Sequence, residues 1–197
     1  MQNESIPVEK WYEEWVDRSL DGLTVDQKKT LVHDGQCNLL GQCVMAFSKL
    51  EELTDLWLAV LAKRHGMNTD ASLLLAINLP LREKCSAIVA LAFLIDPDEK
   101  LMDRIASVTN KVCVELRNQR NRLFHDVWSR GDYELIRRPR TGTKLTRPQS
   151  RQVELKIPDQ VKVTHHDLGN FIKECVDMSN EIISLSELFG EEGPQQV

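Results

Sequence analysis

Between Thr24 and about His65, apolar residues return at the spacing of one helical face. They are Leu31, Leu39, Leu40, Val44, Phe47, Leu50, Leu53, Leu56, Trp57, Val60 and Leu61. A helix that long carries an apolar stripe that only other elements can cover. Gly35 and Gly41 inside it are places for a bend or a close approach, and Gly66 stops it.

The rest of the chain supplies partners. Pro7 opens a short helix over about residues 8–19, with Trp11, Trp15 and Leu20 toward a core, and Asp21-Gly22 ends it. Asp70 caps a short helix through Leu79. Pro80 starts another that carries Leu81, Cys85, Ile88, Val89, Leu91, Ala92 and Leu94. Asp96-Pro97-Asp98 reads as a turn and cap before a helix from about Glu99 to Trp128, closed by Gly131-Asp132. Thr164 or Asp167 caps a last helix to about Phe189, packed through Leu168, Phe171, Ile172, Val176, Ile182, Ile183, Leu185 and Leu188. Short connections among long helices predict a mainly α protein, a helical bundle.

Residues 132–158 differ in character. Tyr133 to Ile136 and Gln152 to Ile157 read as two short paired strands. Between them, RRPRTGTKLTRPQSR is basic and broken by Pro and Gly, so an exposed loop is predicted. The chain reads as one domain over residues 1–190 with a basic hairpin excursion, and residues 191–197 as a flexible tail.

Composition narrows the function classes. Hydrophobic residues make up 42% and charged residues 28%, which is globular rather than disordered. The longest apolar run, Ala87 to Ile95, is too short to cross a bilayer, and the first residues do not read as a signal peptide. Five scattered cysteines, Cys37, Cys43, Cys85, Cys113 and Cys175, read as buried thiols in a reducing compartment, hence the cytoplasm. The net charge of -5 conceals an asymmetry. Residues 115–151 hold ten Arg or Lys against four acidic residues, a local +6, while the remainder sums to -11. One basic strip on an acidic body can attract a polyanion.

That strip adjoins Arg120, Asn121 and His125. On a helix, Arg117, Asn121 and His125 follow one another at four-residue spacing on one face. Arg120 is about 140° around from His125 and ~7.5 Å along the axis. It falls between Leu116 and Leu123, which with Val127 form a packed stripe, so its guanidinium needs a pocket, an anion or a partner. An imidazole can move a proton near neutral pH. A guanidinium can grip a phosphate and stabilise charge growing on it, and an amide can orient either group. Those types suffice for RNA cleavage by the substrate's own 2′-hydroxyl, with no metal or other cofactor. They equally suit a polar network at a helix interface. His165-His166-Asp167 reads as a helix N-terminus rather than a metal site, and Trp11, Trp15 and Trp57 as core or dimer contacts.

The string Arg120-Asn121-Arg122-Leu123-Phe124-His125 resembles the Arg-polar-x3-His signature of the HEPN superfamily. The stretches Phe47 to Leu53 and Leu79 to Lys84 are similar to its early helices, and the resemblance spans about residues 25–189. Only the signature is specific. The resemblance implies a HEPN-like helical bundle, homodimerisation and, in many members, metal-independent endoribonuclease activity in toxin–antitoxin, phage-defence or RNA-processing systems. It implies catalytic roles for Arg120 and His125, with Asn121 positioning them, in a cleft shared by two subunits. Arg117, Arg122, Arg137, Arg138, Arg140 and Lys144 become candidate RNA contacts. Asp126, where many relatives carry a small residue, could orient His125 or oppose a phosphate. A cognate antitoxin or regulatory protein is the further partner that such a role implies. Some members are not nucleases, so a dimeric RNA-binding or accessory protein is the competing expectation.

Overall fold

The computed structural model describes residues 22–125, 127–130, 135–138, 144–146, 154–156 and 161–189. The predicted helix at 8–19, with Trp11 and Trp15, lies outside them, as does the tail at 191–197. The described chain is mainly α. Its helices are α1 (Val25–Arg64), α2 (Thr69–Asn78), α3 (Leu81–Ile95), α4 (Glu99–Asn110), α5 (Arg117–His125) and α6 (His165–Leu188). A π-helical turn, Lys111–Leu116, joins α4 to α5. Among the described residues, five short strands, β1 (Val127–Arg130), β2 (Leu135–Arg138), β3 (Lys144–Thr146), β4 (Glu154–Lys156) and β5 (Val161–Val163), precede α6. Among the described residues, no helix is long and apolar enough to cross a membrane.

Local chemistry sets the helix ends. Thr24 Oγ1 accepts from Gln27 N (3.3 Å), and Gln27 Oε1 accepts from Thr24 N (2.9 Å), a reciprocal cap that starts α1. Gly66 ends the segment at φ +86°, a conformation that a side chain would strain. Asp98 caps α4 through Leu101 N at 2.8 Å. Thr164 and Asp167 both contribute to the α6 cap: Asp167 Oδ2 accepts from Thr164 N (2.8 Å) while Thr164 Oγ1 accepts from Asp167 N (3.2 Å). The α2 cap is Asn68 rather than Asp70. Its Oδ1 accepts from Ala71 N at 2.8 Å, and Asp70 sits in the first turn, where a negative charge faces the positive helix end.

Two sets of segments pack internally. One runs over Val44–Gln119 and again from Ile172. It is a helical bundle whose core holds Phe47, Leu50, Trp57, Leu61, Ile88, Ile105, Leu116, Ile182 and Leu185. Trp57 is therefore a core residue. Polar links tie its helices. Lys84 of α3 pairs with Asp55 of α1. The ring Nε2–H of His65 donates to the Leu91 carbonyl at 3.0 Å. Arg104 of α4 binds Glu181 and, at 3.2 Å, Ser184 of α6. Lys111 lies 2.8 Å from Glu115 and 3.0 Å from Glu174.

The buried faces depart from the predicted ones in places. On α3 the buried residues are Lys84, Cys85, Ile88 and Ala92, whereas Leu94 is exposed. On α6 the buried face uses Cys175, and Val176, Ile183 and Leu188 are exposed. Val44 and Leu56 of α1 are exposed too. At Gly41 a Cβ would meet open space, so that glycine serves no close approach.

The other set covers the chain to Cys43 and Arg120–Phe171. Leu39, Cys43, Leu123, Val163, Leu168 and Phe171 are buried in it, and the Cys43 thiol donates to the Leu168 carbonyl at 3.6 Å. His33 of α1 is buried as well. The strands form two sheets, one ordered β1-β2-β5 and one pairing β3 with β4. A small β-hairpin before the last helix is thus present, but not between the two predicted strands: β2 and β4 both exist, and each pairs with another strand. β2 pairs antiparallel with β1 and with β5, so it is a central strand. The predicted loop accordingly gives way to strand at Arg137 and Arg138, and at Lys144 to Thr146.

The helix predicted to run to Trp128 ends at His125, and Val127 and Trp128 belong to β1. Both residues are β-branched or aromatic, and backbone pairing with β2 suits them better than a continued helix. Val127 is therefore strand rather than helix, while Leu116 and Leu123 are buried as expected.

Burial also controls the thiols. All five cysteines are free, and Cys43, Cys85 and Cys175 are buried while Cys37 is exposed. Burial pushes the Cys43 thiol up to about 12. Burial, and then the neighbouring Cys113 thiol, pushes Cys85 up to about 12. Unfolded thiols ionise near 9, so the fold favours the protonated form. This contribution is complete below pH 9 and is lost as pH rises toward 12. In the native protein at pH 8, iodoacetamide should modify Cys37 first and leave Cys43 and Cys85 intact until denaturant is added. Equal native reactivity at all five, read by peptide mass spectrometry, would contradict this burial pattern.

Candidate active site

The site residues sit on a helix whose register is reset just upstream. At the π-helical turn, the amide of Arg117 reaches the Val112 carbonyl, five residues back. Such a turn inserts about one extra residue and rotates the downstream positions by roughly 100° relative to an uninterrupted α-helix. Just before the turn, within α4, Thr109 Oγ1 donates to the Ile105 carbonyl at 2.8 Å. The faces of α5 are therefore set by this turn as well as by spacing from Glu99.

On α5, Leu123 is buried and anchors the helix. Arg117 and Arg122 are exposed, Asn121 is half-buried, and His125 is exposed at the C-terminal end. Arg122 lies in the last turn, where a cation meets the negative end of the helix dipole. Arg120 is half-buried, as a cation on a packed stripe must be if it is held. Its Nη1 donates to Asn121 Oδ1 at 3.2 Å. Its guanidinium carbon lies 5.5 Å from the centroid of the Phe124 ring. Arg120 and Asn121 are thus joined. Among the described residues no hydrogen bond links His125 to either, so the third member of the triplet stands apart at the helix end.

The strands bring further basic positions to that end. β1 begins two residues after His125, and its Val127 and Trp128 are the register partners of Arg138 and Arg137. The backbone of β2 is thereby returned to the end of α5. Arg137 is half-buried in the middle of the three-stranded sheet. Lys144 pairs in register with Lys156 across β3 and β4. Asp126 and Arg140 lie outside the described residues.

Two features of the site lie outside the sequence reading. Phe124 sits unremarked inside the signature, although an aromatic four residues after an arginine is a recognisable helical pair. The π-helical turn has no sequence marker of comparable clarity. His165 and His166 occupy the first turn of α6, in line with the expected helix N-terminus. Among the described residues, no group of three or more His, Cys, Asp or Glu side chains is arranged to hold a metal. No known family model, curated protein or solved structure matches the chain.

Proposed function

We propose that this protein is a HEPN-like, metal-independent endoribonuclease that acts as a homodimer in the cytoplasm. The observation that carries the reading is a half-buried Arg120, hydrogen-bonded to Asn121, on a helix that ends at an exposed His125. The resemblance of residues 120–125 to the HEPN signature gives the arrangement its chemical sense.

In the proposed reaction, the 2′-oxygen of a ribose attacks the adjacent phosphorus and the bond from phosphorus to the 5′-oxygen breaks. One His125 takes the proton of the 2′-hydroxyl. The His125 of a second subunit gives a proton to the departing 5′-oxygen, because a two-fold axis sets two copies around one cleft. Arg120 binds the non-bridging phosphate oxygens and stabilises their growing charge. The products are a 2′,3′-cyclic phosphate and a 5′-hydroxyl. Arg117, Arg122, Arg137, Arg138, Arg140 and Lys144 guide the RNA strand electrostatically. A cytotoxic nuclease of this kind fits a toxin–antitoxin or phage-defence role, with a cognate antitoxin or regulator as restraint.

A second reading draws on a different feature. The guanidinium of Arg120 rests on Phe124, a contact that also suits an interaction helix in a non-catalytic RNA-binding or accessory protein. Purified protein incubated with single-stranded RNA and excess EDTA separates the two. The nuclease yields fragments ending in 2′,3′-cyclic phosphate, resolved by mass spectrometry. Retarded but intact RNA supports the accessory reading and rejects the nuclease.

A further inference from the structure

We propose that Phe124 is a positioning residue for Arg120, holding its guanidinium in place for the phosphate of an RNA strand; this rests on the nuclease reading above. The argument starts from helix geometry. Residues four apart share a face, and helical side chains lean back over the turn N-terminal to their own Cα. The Phe124 ring therefore leans toward Arg120, and the guanidinium carbon lies 5.5 Å from its centroid. Nη1 of the same guanidinium donates to Asn121 Oδ1 at 3.2 Å. The ring contact and the hydrogen bond thus act on one guanidinium from two different residues, and together they restrict its rotamers more than either alone.

The need for such restraint is physical. An arginine side chain has many rotamers and carries a large side-chain entropy. An arginine that is still mobile when substrate arrives loses that freedom on binding, and the loss subtracts from phosphate binding and charge stabilisation. Asn121 is the polar member of the signature and already has a role through the resemblance. Phe124 occupies one of its three unspecified positions. Burial gives a second reason. Leu123 of α5 is buried, whereas Phe124 is only half-buried and so does not serve chiefly as core. Arg120 and Phe124 belong to the same packed set, so the contact forms within one part of the chain.

The test uses the full chain and the variants Phe124→Leu, Phe124→Tyr and Arg120→Lys, the last serving to assign the Arg120 signal. Cation–π contacts of this kind correspond to about a 3- to 30-fold effect. Phe124→Leu should lower kcat on single-stranded RNA by that factor with little change in KM, and Phe124→Tyr should recover most of the loss. In a 15N-labelled wild-type sample, the Arg120 Nε–Hε proton should be displaced upfield by the ring, and Phe124→Leu should return it to the position of the exposed arginines. Equal kcat in Phe124→Leu and wild type overturns the proposal, as does equal loss in the Leu and Tyr variants. If the Leu variant fails to fold, the wild-type spectrum still decides: an Arg120 signal coincident with those of exposed arginines overturns the proposal. If wild type cuts no RNA, the nuclease reading fails separately, and the displaced Arg120 signal still reports whether Phe124 holds the guanidinium.

Discussion

His125→Ala should remove RNA cleavage while leaving the fold intact. A positioned general acid or base contributes about 10²- to 10⁴-fold to such reactions, so a loss in that range is expected. The fold should hold because His125 is exposed at the end of α5 and forms no hydrogen bond to Arg120 or Asn121 among the described residues. Surface substitutions of this kind change stability by no more than about 0.5 kcal/mol. Arg120→Ala behaves differently, since it removes the contacts to Asn121 and Phe124 and should lower both activity and the unfolding midpoint. A mixing experiment sharpens the test. If each cleft needs both histidines, an equimolar mixture of wild-type and His125→Ala chains, after subunit exchange, retains about a quarter of the wild-type rate. A chain that works alone retains about half. Undiminished cleavage by the variant would remove His125 from the mechanism altogether.

The second large effect concerns stability. Asp55→Ala should destabilise the protein by about 3 kcal/mol. The side chains of Lys84 and Asp55 are 10% and 24% exposed, so removing the carboxylate leaves an ammonium largely shielded from water without its counter-charge. Replacing both partners together, Asp55→Leu with Lys84→Met, should bring stability back to the wild-type level or above it, because a well-packed apolar pair avoids the cost of burying two charges. Urea unfolding at pH 7 gives all three values. If Asp55→Ala costs less than about 0.5 kcal/mol, the pair behaves as a surface ion pair and α1 and α3 are held by apolar packing alone.

The Asp55–Lys84 pair illustrates what the sequence conceals. Lys84 falls on the buried face of α3, between positions that periodicity assigned to Leu81 and Cys85. A lysine looks like a surface residue until the opposing carboxylate is known, and Asp55 is 29 positions away. β1 is hidden for a related reason. Val127 continues the helical period of Leu116 and Leu123, and only pairing with β2 makes it and Trp128 strand. Arg137 and Arg138 are legible as basic positions but read as loop, because a central strand is defined by neighbours on both sides, one of them as distant as Val161. The candidate site was partly legible: residue types and spacing singled out Arg120, Asn121 and His125, whereas the hold of Phe124 on Arg120 depends on side-chain geometry.

What the sequence determined by itself was therefore local. Thr24 with Gln27, Gly66, Asp98, and Thr164 with Asp167 mark helix ends through contacts only a few residues apart, and the apolar period of α1 calls for a helical protein. Tertiary structure alone decided which faces are buried, how the strands pair, where the π-helical turn resets the register and how the backbone of Arg137 and Arg138 returns to the end of α5. Capping energies arise within one turn of chain. Strand register and buried ion pairs arise only when segments far apart in sequence are brought together, and no local pattern encodes that encounter.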